Sequence, residues 1–62
     1  MIVICREWNM LTDVGKTYEV IKIIEDEYGD RWYKIKDIKY GSIATWCFDI
    51  IDSTIYPQVE TC

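Results

Sequence analysis

The sequence predicts a small all-β domain whose five short strands bend into a barrel. Three observations carry this. The apolar runs are short, β-branched and aromatic, and Gly15, Gly29 and Gly41 fall between them as turn residues. No window keeps an apolar stripe at helical period long enough for a helix. The chain has 62 residues, of which 50% are apolar and 15% aromatic. That is one domain, 1–62, too hydrophobic for disorder and short enough that its core must be dense.

The strands follow in order. "MIVIC" is a β-branched run and the first strand. "REWNMLTDVG" is a loop, with turn formers at Asn9, Asp13 and Gly15. "KTYEVIKIIE" is a long second strand. Tyr18 and Val20 share one face, Ile21 and Ile23 the other, so the alternation slips once, as in a bent, bulged strand serving two sheets. "DEYGD" is a hairpin turn with Gly29 free to take a positive φ. "RWYKIK" is the third strand, with Tyr33 and Ile35 on one face and Trp32, Lys34 and Lys36 on the other. After a turn around Gly41, "IATWCF" is the fourth. "DIIDSTIYPQVE" holds a turn and a last edge strand, where Pro57 is tolerated. Sequential hairpins in so short a chain favour an SH3-like barrel over an OB-like one, which needs room for a helix. Tyr18, Tyr33, Trp46 and Phe48 are the expected aromatic core.

These residues also resemble a known group. Leu11, Thr12, Gly15, Lys16, Tyr18 and Val20, then Tyr33 and Ile35, then Gly41, Trp46, Phe48 and Asp49 follow the pattern of small SH3-like barrel proteins of bacteriophages and prophages of Gram-positive bacteria. The similarity spans residues 2–51, with one extra residue, Asp13 or Val14, before Gly15. It implies the fold and a phage-type origin. It also implies a small module that binds and inhibits a host protein, one that handles DNA or serves defence, in the bacterial cytoplasm.

Charge and chemistry narrow the function. Eleven acids against seven bases give a net charge of −4. This argues against a general nucleic-acid binder and permits a partner with a basic surface. With no histidine, the usual catalytic base is missing, and no cysteine pair has metal-ligand spacing. An enzyme, a metal and a cofactor are therefore not expected. Cys5 and Cys47 read as core residues of a reducing compartment, and Cys62 as a mobile terminal thiol. No apolar run approaches the roughly 20 residues that span a bilayer, and a cytoplasmic protein is expected.

Two surfaces are candidates for binding. The first is the acidic hairpin tip, Glu25, Asp26, Glu27, Tyr28 and Asp30, together with Trp8 in the first loop. On an extended strand alternate carboxylates stand roughly 6.6 Å apart, near the phosphate step of one nucleic-acid strand. The alternative is a solvated turn. The second is a basic and aromatic face of Arg31, Trp32, Lys34, Lys36 and Tyr40, fit to stack on and neutralise single-stranded nucleic acid. Pairing of these bases with Glu19 and Glu25 across the hairpin is the alternative there. Homodimerisation through the edge of the last strand is a further expectation.

Overall fold

A computed structural model describes residues 1–61; Cys62, expected as a mobile thiol, lies outside the described residues. The fold is all-β apart from one 3-10 turn. Its strands are β1 (Ile2–Cys5), β2 (Thr17–Glu25), β3 (Arg31–Ile35), β4 (Ile43–Ala44), β5 (Phe48–Asp52) and β6 (Gln58–Thr61). They form one sheet in the order β4-β3-β2-β1-β5, antiparallel throughout, with β6 added parallel to β2. There are six strands rather than five, and the sheet does not close, because no ladder joins β4 to β5 at its two ends.

The extra strand arises where "IATWCF" was expected to run straight. Thr45–Cys47 instead coil into a 3-10 turn that separates β4 from β5. This reverses the side chains. Trp46, an expected core residue, is 62% exposed, while Cys47 beside it is buried. The last strand is an edge strand as expected, and Pro57 precedes it rather than lying within it.

β2 organises the molecule. Its first half pairs with β1, from Ile2↔Glu19 to Ile4↔Thr17, and its second half pairs with β3 on one edge and β6 on the other. The β2–β3 register shifts between Val20 and Lys22, where the alternation slips in the sequence. The bulge lets Val20 and Ile23, three residues apart, both face inward, and turns Ile21 out to solvent. Val20, Ile23, Val3, Cys5, Tyr33, Ile35, Ile43, Cys47, Phe48 and Met1 form the buried core, with half-buried Tyr18, Ile38, Ala44 and Val59 packed on it. Phe48 meets Tyr18 edge-on at 6.4 Å between centroids and Tyr33 at 5.8 Å, joining the two halves of the bent sheet.

Candidate functional site

The Asn9 side chain makes the most side-chain hydrogen bonds within the β1–β2 loop (6–16). The Asn9 carbonyl oxygen accepts the backbone N–H groups of Leu11 at 3.0 Å and Thr12 at 2.8 Å. Its amide donates to the Thr12 hydroxyl at 2.6 Å, and that hydroxyl donates to the buried Cys5 Sγ at 3.3 Å. The Tyr18 hydroxyl accepts the Asp13 N–H at 3.0 Å. Thr12 is the buried polar residue of the fold, and these bonds satisfy it. A loop so fixed cannot fold its apolar side chains inward, so Trp8, Met10 and Leu11 stand exposed at 76%, 87% and 48%.

β4 and the 3-10 turn complete the surface. Trp8, Asn9, Met10 and Leu11 of the loop, with Ser42, Ile43, Ala44 and Trp46, line an open, shallow groove of about 390 Å³. Arg6 ties the loop to the 3-10 turn. Its Nε donates to the Trp46 carbonyl at 3.0 Å, and its guanidinium lies 3.6 Å from Asp49. Gly41 takes a left-handed φ of 93° beside Leu11, where a Cβ would lie 3.3 Å from the Leu11 side chain. Cys47 lies beneath, its thiol pushed up from the ordinary value first by burial and then by the neighbouring Cys5. The groove wall carries no charged side chain.

The acidic tip is built differently from a row of carboxylates on a strand. Among its acids, only Glu25 is in a strand, and it pairs with Arg31 at 3.3 Å. Asp26 is the turn's own cap, its carboxylate accepting the N–H groups of Tyr28 and Asp30, each at 2.9 Å. Gly29 takes the left-handed φ of 85°. Glu27 and Asp30 point to solvent, with Tyr28 82% exposed between them. The tip and Trp8 belong to separate loops, β2–β3 and β1–β2.

The basic face is partly occupied. Arg31 is held by Glu25, Lys34 donates to the Lys39 carbonyl at 3.4 Å, and Lys22, opposite Lys34 in the ladder, meets Glu60 of β6 at 2.9 Å. Trp32 is half-buried; Lys36 and Tyr40 are exposed. Among the described residues no three Cys, Asp or Glu side chains converge as metal ligands, and no helix is long and apolar enough to cross a membrane. Sequence reasoning found Trp8 but missed its groove partners Met10, Leu11 and Trp46. A signal was present: three large apolar residues in a loop rich in turn formers have no strand to bury them. Neither a family model, nor a curated protein, nor a solved structure matches this chain.

Proposed function

We propose that the chain is a small SH3-like protein-interaction module, of the kind phages use to bind and inhibit a host protein, and that the Trp8–Trp46 groove is its contact surface. The carrying observation is the pair of exposed tryptophans, Trp8 and Trp46, that line one groove, with the Trp8 loop fixed by Asn9 and joined to the Trp46 carbonyl by Arg6. Tryptophan exposed at this cost in apolar area is characteristic of binding hot spots, and contiguous exposed apolar surface marks interaction sites. The strand connectivity supports the SH3-like reading: β2 serves two halves of the sheet, and a 3-10 turn links β4 to β5. The occupant is an extended, uncharged apolar segment of the partner protein, since the groove wall carries no charge.

The test is affinity capture from a nuclease-treated Gram-positive bacterial lysate, then titration of the purified captured protein. The groove reading expects one protein that binds the native chain and loses at least tenfold in affinity with Trp8→Ala or Trp46→Ala, the scale of a hot-spot truncation. Unchanged affinity in both variants would refute it. Capture that disappears on nuclease treatment would move the function to the basic face.

A further inference from the structure

At the far end of β1 lies a second concavity, of about 470 Å³, which shares no residue with the Trp8 groove. Ile2, Ile21, Ile55 and Pro57 make it apolar, and Glu19 and Asp52 stand within it. The ladders explain the arrangement. Ile2 pairs with Glu19 on β2 and with Asp52 on β5. Paired residues share a face of the sheet. The two carboxylates therefore bracket Ile2 across three strands, two interstrand spacings or roughly 10 Å apart at the backbone.

Neither is held by a lysine or arginine. The ion pairs among the described residues use Asp49, Asp13, Glu60 and Glu25, and neither Glu19 nor Asp52. Asp52 accepts the Thr54 N–H at 2.8 Å, which favours its ionised form. No Lys or Arg side chain lines the concavity. The Met1 ammonium, which donates to the Ile55 carbonyl at 2.8 Å, also favours the ionised form of Asp52, so two carboxylates face one positive group and the lining stays net negative. Ile51 and Tyr56, chain neighbours of the lining residues Asp52, Ile55 and Pro57, are also more than half exposed. So open an apolar surface suits a polypeptide better than a small molecule.

We propose that this face docks a basic amphipathic segment of a partner protein, with one apolar side chain over Ile2, Ile21 and Ile55 and a lysine or arginine on each side meeting Glu19 and Asp52. Charge complementarity selects this occupant. A second copy of the chain would bring the same acids against themselves, and a nucleic acid would bring phosphates to them. The proposal rests on the reading of the chain as a protein-interaction module but uses a different surface.

The probes are two synthetic peptides of equal length, alternating leucine with lysine or leucine with glutamate, titrated into the isotope-labelled protein and followed by amide NMR shifts. The lysine peptide is expected to shift Ile2, Glu19, Ile21, Asp52 and Ile55, and to bind more weakly as salt rises. Glu19→Gln and Asp52→Asn each weaken it about two- to five-fold, the range of an exposed ion pair. Ile55→Ser weakens it as well, and Trp8→Ala leaves it unchanged. Equal binding of the glutamate peptide, shifts confined to the Trp8 groove, or no shift at the highest concentration reached would each overturn the proposal. Failure here leaves the groove reading to its own Trp8→Ala and Trp46→Ala test. Failure there, with the lysine peptide still bound at Ile2, would leave this surface standing.

Discussion

Asn9 does more for this molecule than its position in a loop implies. It satisfies two backbone N–H groups and orients the hydroxyl of buried Thr12. Asn9→Ala is expected to cost about 1–3 kcal/mol of stability, since each lost bond contributes about 1 kcal/mol. Hydrogen exchange at the Leu11 and Thr12 amides should accelerate in parallel; unchanged exchange would mean that the loop is held by something else. Tyr33 and Cys47 set the alkaline limit. Burial raises the pKa of each above its ordinary value of 10.0 and 9.0. Both groups are neutral when protonated, so the unfolded chain loses these protons first. Their contribution to stability is therefore complete below about pH 9 and declines as pH rises through 9 and then 10. A urea midpoint followed from neutral to alkaline pH should show this fall, and Tyr33→Phe should reduce the part above pH 10.

At the scale of elements, the β2–β3 turn separates structural acids from free ones. Asp26→Ala removes two hydrogen bonds and is expected to destabilise by about 1–3 kcal/mol. Glu27→Lys and Asp30→Lys, both on exposed side chains, should change stability by less than about 0.5 kcal/mol. Charge reversal at Glu27 and Asp30 therefore isolates any binding role of the tip, whereas reversal at Asp26 would confound it with unfolding of the turn. A thermal melt of the three variants distinguishes these outcomes. How legible each element was follows its local physics. The slip in β2 was readable because Val20, Ile21 and Ile23 break a period of two in plain view. The edge position of the last strand was readable from Pro57. Trp46 was misassigned because a 3-10 turn leaves no mark in hydrophobicity: "IATWCF" reads as one apolar, aromatic strand, and the coil appears only because the chain must pass from β4 at one end of the sheet order to β5 at the other. The pairing of β6 with β2 was not readable at all, since parallel partners distant in sequence share no local signal.

Over the whole molecule, more large apolar side chains are exposed than are buried in the core: twelve against ten among the described residues. A chain of this size builds one small core, and what exceeds it must face outward. Six of the twelve line the Trp8 groove or the concavity around Ile2. The net charge of −4 keeps such surfaces apart. Raising the salt concentration should screen that repulsion and increase self-association in sedimentation velocity. A fall in association with salt would instead point to a charge-paired dimer. The double variant Trp8→Ser and Trp46→Ser should melt within a few degrees of the native chain, because both indoles are already in water, while losing the captured partner.

β6 lies against the second half of β2, with Lys22, Ile23, Ile24 and Glu25 beside Gln58, Val59, Glu60 and Thr61. Most of the polypeptide separates these partners, so the other hairpins can zip before the two meet. The strand that arrives last is also the one that peels first. Once it lifts, β2 shows a bare ladder edge to which the same segment of a neighbouring molecule fits with the same register and the same Lys22–Glu60 bond. The tail can thus be traded between two chains, a route to reciprocal dimers that needs no new interface.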